Sequence, residues 1–224
     1  VFLVTTFFAW QIPAVKMLSD FASLLPQDHP YIQLHNSIRD TFGGANIINI
    51  AVEVDEGTIF TNETLARVHR ITQSVDEVSN VNHNLVTSLT HRNTRKIFLT
   101  AGGTIQSQLY YDPLKEKYSD AELATMQRDV QSNPRVYGLL VSPDMKSALI
   151  KATLNEGELR YRVVFDEIQE IREREAADGV VIYSTGHPML VGWIDSYSDQ
   201  ILQIFLYTIL IVLFILIVYS RRLY

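Results

Sequence analysis

The longest uninterrupted apolar stretch of the chain lies near its carboxyl end. Residues 200–220 read QILQIFLYTILIVLFILIVYS and contain no charged side chain. As a helix, this stretch spans about 31 Å, which matches the hydrocarbon core of a bilayer. A helix in the core of a folded domain would be shorter and would show a polar stripe. The pattern therefore predicts a transmembrane helix over residues 200–220.

The residues that follow this stretch predict its orientation. Arg221 and Arg222 come directly after it, and positive residues next to a membrane helix mark the cytoplasmic side. We therefore expect residues 221–224 to begin a cytoplasmic segment and residues 17–199 to be extracytoplasmic.

The amino-terminal end is also apolar, but it is too short to cross a bilayer. Residues 1–10 read VFLVTTFFAW, and ten helical residues reach only about 15 Å. The segment has no basic region and no clear cleavage site, which disfavours a signal peptide. We expect residues 1–16 to be the end of a first transmembrane helix, and the chain to be a piece of a longer protein.

The region between the two ends alternates between strand-like and helix-like patterns. Alternation and β-branched residues predict strands over residues 46–54, 81–89, 136–141, 147–154 and 180–184. Helices are predicted after the candidate N-cap Thr61, after the capping box Ser119-x-x-Glu122, and over residues 158–177. Their expected apolar faces contain Leu65, Val68, Ile71, Val75 and Val78, then Leu123, Met126 and Val130, and finally Leu159, Val163, Ile168 and Ile171.

These elements predict an α+β protein with an internal repeat. Residues 50–57 (IAVEVDEG) are similar to residues 150–157 (IKATLNEG), and each stretch precedes a helix and a Val-rich strand. The repeat favours two tandem ferredoxin-like βαβ subdomains flanked by transmembrane helices. We expect an irregular connecting segment at residues 17–44, a first subdomain at residues 45–135 and a second at residues 136–199.

Composition excludes several classes of protein. The chain has 224 residues, 47% of them hydrophobic, a formal net charge of −6 and no cysteine. The lack of cysteine excludes a disulfide scaffold, an iron–sulfur protein and a cysteine-ligated zinc module. Residues 17–199 hold 16 of the 19 basic residues and all 25 acidic residues, which gives this region a charge of −9. This acidic balance argues against nucleic acid as a partner.

The six histidines form no recognisable metal or catalytic pattern. No pair has the His-x-x-x-His spacing of a helical zinc site, and Glu63 and Glu77 are too distant to share the helix face of His69. A Gly-x-Ser-x-Gly elbow is absent, and Gly43-Gly44 and Gly102-Gly103 lack the lysine of a phosphate loop. We therefore expect no enzyme activity, no cofactor and no metal site.

An ordered set of short motifs in residues 17–72 is more specific. The motifs are Asp20-Phe21, Leu24-Leu25-Pro26, Asp28-His29-Pro30, Phe42-Gly43-Gly44-Ala45-Asn46, Val52-Glu53, Glu56-Gly57 and Ile59-Phe60-Thr61. Together they resemble the first extracytoplasmic loop of the resistance–nodulation–division (RND) exporters. The branch that looks most similar is the MmpL-like, hydrophobe/amphiphile-efflux group of bacteria and archaea. The order of membrane helix, α/β porter loop and second membrane helix is also similar to that family.

The resemblance implies a proton-driven exporter of lipids or other hydrophobic or amphiphilic molecules in the cytoplasmic membrane, with this chain as the porter domain. Proton coupling is expected in other transmembrane helices, because residues 200–220 offer only Gln203 and Thr208 in their interior. The expected partners are membrane lipids, the amphiphilic substrate, the remaining transmembrane helices, and a homo-oligomer or a periplasmic adaptor. The expected substrate path contains Phe21, Leu24, Leu25, Phe42, Gly43 and Gly44.

Two other functions fit the same pattern. A receptor could hold an extracytoplasmic sensor domain between two membrane helices. A membrane complex could instead contain the chain as a non-transporting accessory subunit. Several further membrane helices after Arg222 would favour the exporter, whereas a long polar cytoplasmic domain would favour the receptor.

Overall fold

The computed structural model describes residues 7, 10, 25–42, 46–100, 102–155 and 160–221, and only the backbone of residues 39–42 and 199. The chain forms a helical unit (Val1–His35 and Trp193–Tyr224) and an α+β unit (Asn36–Gly192). Its elements are α1 (Pro30–Phe42), β1 (Ile47–Val54), α2 (Asn62–Asp76), β2 (Arg95–Leu99), β3 (Ile105–Leu109), α3 (Asp120–Ser132), β4 (Ser147–Thr153), α4 (Tyr161–Arg174), β5 (Val180–Thr185), α5 (His187–Ser196) and α6 (Ser198–Arg221).

Strand β1 is the centre of the α+β unit. It pairs antiparallel with β4 on one side and with β5 on the other, so the strand order is β4-β1-β5. Every second residue of β1 is buried, and the residues between them are partly exposed. The predicted alternation over residues 46–54 is therefore confirmed, because a period of two places one side chain in two on the covered face of a sheet.

Helices α2 and α4 cover this face of the sheet. Helix α2 contacts α4 and β4, and α4 contacts β5. The predicted N-cap is confirmed, since Thr61 Oγ1 accepts a hydrogen bond from the backbone N–H of Thr64 at 3.1 Å. In α4, Val164 is fully buried whereas the predicted Val163 is only partly buried. Predicted core residues that are buried are Leu65, Val68, Ile71, Val75, Val78, Ile168 and Ile171.

The strand predicted over residues 81–89 is wrong. Only two isolated bridges form there, from Val81 to Leu154 and from Thr87 to Lys151, beside the outer edge of β4. Between them the chain turns, because the N–H of Leu85 donates to the carbonyl of Asn82 at 2.8 Å. Asparagine side chains favour such turns by bonding to nearby backbone groups.

The strand predicted over residues 136–141 is also wrong. The N–H groups of Leu139, Leu140 and Val141 all donate to the carbonyl of Val136, which winds the segment into turns. Gly138 has a φ of 76°, a conformation that breaks an extended strand. The segment is therefore mainly a turn, and its sheet-like pairing is limited to isolated bridges such as that from Val141 to Ala148 of β4.

Strands from both predicted subdomains pair in one sheet. Strand β1 comes from residues 45–135, whereas β4 and β5 come from residues 136–199. The two repeats meet directly, because Ile50 of the first is paired with Ile150 of the second. The α+β class is confirmed, but two tandem ferredoxin-like subdomains are not. When β2, β3 and α3 are left aside, the order strand, helix, bridged edge, strand, helix, strand is similar to that of a single split βαβ arrangement.

Residues 91–146 form a second group of elements within the α+β unit. Strands β2 and β3 make an antiparallel hairpin, and α3 begins with the predicted capping box between Ser119 and Glu122. The buried residues of α3 are the predicted Leu123, Met126 and Val130. Asn62 at the start of α2 holds this group in place, because it donates to the carbonyl of Tyr118 at 2.9 Å and accepts from its N–H at 2.7 Å.

The helical unit contains the predicted apolar helix. Helix α6 covers Ser198–Arg221 and includes all of residues 200–220. The first predicted membrane helix, at residues 1–16, lies outside the described residues except for Phe7 and Trp10, which are both helical.

Candidate functional site

The predicted substrate path falls mostly outside the described residues. Phe21, Leu24, Gly43 and Gly44 are not among them, and only the backbone of Phe42, the last residue of α1, is described. Leu25 lies in the helical unit with 48% of its surface exposed. The substrate path therefore stays a prediction.

The surface of α6 is apolar on all sides. Its large apolar side chains are between 45% and 68% exposed. The hydroxyl of Thr208 donates to the carbonyl of Ile204 at 2.8 Å, so this polar group is satisfied within the helix. In the described part of the chain, the helical stretch His187–Arg221 is the one that is long and apolar enough to cross a membrane, by length and composition. A surface of this kind suits lipid as its solvent.

A polar pocket lies in the α+β unit, on the side of α2 that faces the segments after Ser88 and after β3. It has a volume of about 150 Å³. Helix α2 contributes His69, Thr72, Gln73 and Asp76, which share one helix face by their spacing. The remaining wall consists of Thr90, His91, Arg92, Leu109, Tyr111 and Pro113.

A cluster of buried hydroxyl groups adjoins the polar pocket, and two of its members, Thr72 and Thr90, line the pocket. Thr72 Oγ1 donates to the carbonyl of Val68 at 2.7 Å, and lies 2.9 Å from Ser88 Oγ and 3.3 Å from Thr90 Oγ1. Because these groups satisfy one another, the segment from Ser88 to Thr90 is held against α2. The side chain of His91 is placed in the wall by this contact.

Burial lowers the pKa of both histidines of the pocket. Desolvation lowers the pKa of His69, although a hydrogen bond to the backbone of Thr90 acts in the opposite direction. Desolvation also lowers the pKa of His91, opposed by the charge of Asp76 and reinforced by that of Arg92. His69 Nδ1 is buried and has no hydrogen-bond partner among the described residues. The rings of His69 and Tyr111 lie 5.1 Å apart.

A second surface feature is the exposed β2–β3 hairpin. Ile97, Leu99 and Ile105 are each about 70% exposed, at 71%, 68% and 73%. Leu99 and Ile105 are directly paired across the two strands, and Ile97 lies two residues from Leu99 on the same face. The face therefore carries three neighbouring apolar side chains at the tip of the hairpin.

The described residues contain no cluster of three or more histidine or carboxylate side chains that could hold a metal ion.

Comparison with known proteins identifies the family. The sequence profile of the MMPL family matches residues 23–223, which include the whole α+β unit from Asn36 onward, α5 and α6. The chain belongs to the MMPL family. This result confirms the resemblance to the MmpL-like branch of the RND exporters.

A relative of this MMPL-family chain occurs in an archaeon. "Putative membrane protein MJ1562" of Methanocaldococcus jannaschii is 24% identical over 226 aligned residues. The alignment covers 99% of this chain and 55% of the relative, so the chain spans about half the length of the curated relative it matches. The family and this relative point to a membrane protein.

The sequence analysis of this MMPL-family chain missed the polar pocket. It compared His69 with Glu63 and Glu77, but the carboxylate on its face is Asp76, seven residues later. Polar residues at spacings of three, four and seven on one face of α2 were the available signal. Tyr111 had no such signal, because only the tertiary fold brings it to α2.

Proposed function

We propose that this chain is the extracytoplasmic porter part, with an adjoining membrane helix, of an RND-type transporter for lipids or other hydrophobic or amphiphilic molecules. The observation that carries the proposal is the family match over residues 23–223, which includes both the α+β unit and α6. The uncharged, apolar stretch of residues 200–220 in α6 supports a position in the membrane. The cytoplasmic membrane, with residues 17–199 outside, is the location we propose.

The side chains within residues 200–220 indicate which part of the complete transporter couples protons and which part contacts substrate. Gln203 and Thr208 are the polar residues in the interior of residues 200–220, and neither titrates in water. Proton coupling needs ionisable groups inside the membrane region. We therefore assign the coupling to other helices of the complete protein and the contact with substrate to the porter part.

We propose that the substrate path contains the apolar residues that the sequence predicts for it. Leu25 supports this assignment because it is an exposed apolar side chain in the same unit as α6. A single ferredoxin-like arrangement around β1 would form the porter wall. A homo-oligomer or a periplasmic adaptor is the proposed protein partner.

The test uses the complete protein that contains this chain, reconstituted in liposomes with a fluorescent phospholipid. An imposed pH gradient is expected to increase the transfer of this lipid to an external acceptor, and a protonophore is expected to abolish the increase. Transfer that does not respond to the gradient would contradict the proposal. A polar cytoplasmic domain in the complete sequence would then favour the sensor of a receptor.

A pair of variants tests the substrate path in the same liposomes. Leu25→Gln is expected to slow gradient-driven transfer several-fold, because it places a polar group among apolar residues that contact the substrate. Leu34→Gln is the matched control, since Leu34 is an exposed leucine of the same unit and lies outside the proposed path. Equal rates in the two variants would remove Leu25 from the path.

A further inference from the structure

The unpaired edge of β2 borders a groove within the α+β unit, here called the β2 groove. It has a volume of about 440 Å³ and is lined by four consecutive residues of β2, Arg95 to Phe98, but by none of β3. Successive residues of a strand point to opposite faces, so residues of both faces can line one groove only along the edge of the strand. In the described part of the chain β2 pairs with β3 alone, so this is the edge without a partner.

The backbone of this edge offers unused hydrogen-bonding groups. The N–H of Thr100 donates to the carbonyl of Thr104 at 2.9 Å, which closes the hairpin. Because hydrogen-bonded pairs alternate along an antiparallel ladder, the backbone of Phe98 bonds to β3, whereas that of Ile97 is directed to the β2 groove. Arg95, two residues before Ile97, is directed the same way. Outside the β2–β3 ladder, no backbone bond of the described residues uses these groups, and such a row is a template for a further strand.

The opposite wall of the β2 groove is held in place by contacts with the hairpin and its flank. This wall consists of the end of α3 and the turn after it, at residues 129–135. Asn133 Nδ2 donates to the hydroxyl of the buried Tyr110 at 2.8 Å, and Asp129 forms an ion pair with Lys96 at 2.8 Å. Both walls are therefore preformed, which lowers the cost of ordering a ligand between them.

The β2 groove is positively charged, although the chain as a whole has a net charge of −6. Its lining contains the basic residues Arg95, Lys96 and Arg135 and one acidic residue, Asp129. The ion pair of Lys96 with Asp129 cancels two of these charges. The side chain of Arg95 bonds only to the neutral Ser107, and neither Arg95 nor Arg135 forms an ion pair with a described residue. Two positive charges therefore remain for the carboxylates of a partner.

These charges indicate which strand the edge accepts. Strand β2 of a second copy would bring its own Arg95 and Lys96 to a groove that is already basic, and like charges on paired strands are destabilising. A strand with acidic side chains complements the groove instead. Its apolar side chains would pack on Ile97 and Phe98, which are 71% and 40% exposed.

We propose that the β2 groove binds an extended, acidic segment of a partner protein, which pairs with β2 as an additional strand. Backbone hydrogen bonds to the edge of β2 hold the segment, and its carboxylates bind Arg95 and Arg135. This inference goes beyond the proposed transport, because a sensor domain or an accessory subunit would bind a partner in the same way.

The test measures peptide binding to the full chain in nanodiscs of phosphatidylcholine, a lipid without net charge. The probes are two pools of peptides of about six residues, the usual length of a strand, each with a neutral fluorescent dye. One pool alternates valine, isoleucine or threonine with glutamate, and the other alternates them with lysine. Fluorescence anisotropy is expected to show about tenfold tighter binding of the glutamate pool. Equal binding of the two pools, or no binding of the glutamate pool, would overturn the proposal.

Methylation of the peptide backbone tests the strand pairing without changing the protein. The N–H groups of one alternate set of peptide residues face β2, and those of the other set face away. In the glutamate pool, N-methylation of one set is expected to weaken binding about tenfold or more, and N-methylation of the other set is expected to weaken it much less. An equal loss from both sets would show that the peptide does not bind as a strand.

Amide hydrogen exchange of the parent chain locates the bound strand. Exchange at the N–H of Ile97 is expected to slow when the glutamate pool binds, whereas the N–H of Phe98 is already paired with β3 and changes less. Exchange at Ile97 that ignores the bound peptide would contradict the proposal. Slow exchange at Ile97 without peptide, appearing only at high protein concentration, would assign the edge to a second copy instead.

A charge-reversal variant connects binding to the β2 groove. Arg135→Glu is expected to weaken binding of the glutamate pool roughly two- to tenfold and to strengthen binding of the lysine pool. Arg128→Glu is the matched control, since Arg128 is an exposed arginine of α3 that does not line the groove. Equal effects of the two variants would place the acidic peptide elsewhere. None of these outcomes depends on whether the complete protein transports lipid.

Discussion

Gly186, directly after β5, occupies a position that other residues cannot. Its φ is 129°, and a Cβ there would lie 2.1 Å from the carbonyl oxygen of Ile47 in β1. We expect Gly186→Ala to lower the free energy of unfolding of the α+β unit by more than the roughly 1–3 kcal/mol of backbone strain alone. Urea denaturation of the full chain in detergent, followed by the near-ultraviolet circular dichroism of its tyrosines, measures this loss.

Gly179 is the matched control for this substitution. Its φ of 76° is also positive, but a Cβ there would meet no atom within 4 Å. Gly179→Ala therefore adds backbone strain without a clash, and we expect it to cost about 1 kcal/mol. Equal losses in the two variants would show that the contact with Ile47 is not the cause.

At the scale of the elements, a charged pair joins α2 to the end of α4. Arg70 donates to Glu175 through Nε at 3.1 Å and through Nη2 at 2.8 Å, and the side chain of Glu175 is only 9% exposed. Arg70→Met leaves this carboxylate buried without the positive charge and the hydrogen bonds of Arg70. We expect the unfolding free energy to fall by about 1–3 kcal/mol in the urea measurement.

Arg174 provides the comparison for this pair. Its side chain is 52% exposed, close to the 53% of Arg70, but its Nε lies 3.9 Å from Glu175 and its Nη2 donates to Ser74. We expect Arg174→Met to cost less than about 1 kcal/mol. In a double variant, Glu175→Met is expected to recover part of the loss from Arg70→Met. If Arg174→Met lowered the unfolding free energy as much as Arg70→Met, the loss could not be assigned to the Arg70–Glu175 pair.

For the α+β unit as a whole, the half-buried His69 and the buried His91 make stability depend on pH. The pKa values of His69 and His91 are lowered from 6.5 by desolvation. As the pH falls below 6.5, the unfolded chain binds protons that the folded unit does not bind. The stability present above pH 6.5 is therefore lost as the pH falls toward the folded-state pKa values. We expect the urea midpoint to decrease from about pH 7.5 to about pH 5.5.

A double variant isolates this effect from other titrations. With His69→Gln and His91→Gln together, the midpoint is expected to change less over the same range, relative to its own value at the higher pH. His35→Gln serves as the control because His35 is exposed on α1. Hydrogen bonds from Lys115 and Ser119 lower the pKa of Glu122 from 4.5 to about 2, so its contribution is lost as the pH falls from 4.5 toward 2, below the range measured here. If the urea midpoint of the double variant changed with pH as much as that of the parent, the pH dependence would be assigned to other groups.

Local patterns in the sequence predicted several helices, strands and helix caps, and contacts between residues distant in the sequence decided the rest of the fold. The alternation in β1, the Thr61 N-cap, the Ser119 capping box and the charge-free run of α6 each depend on neighbouring residues. Such signals are local, so the chain alone determines them. The family resemblance was likewise readable from short motifs.

Only the tertiary structure decided which repeats pair and which residues meet. The repeat at residues 50–57 and 150–157 predicted two subdomains, yet the pairing of Ile50 with Ile150 makes them halves of one sheet. Periodicity shows which face of an element is buried but not what covers it. For the same reason the sequence predicted that His69 lies on a helix, while the fold alone placed Tyr111 beside it and made a pocket.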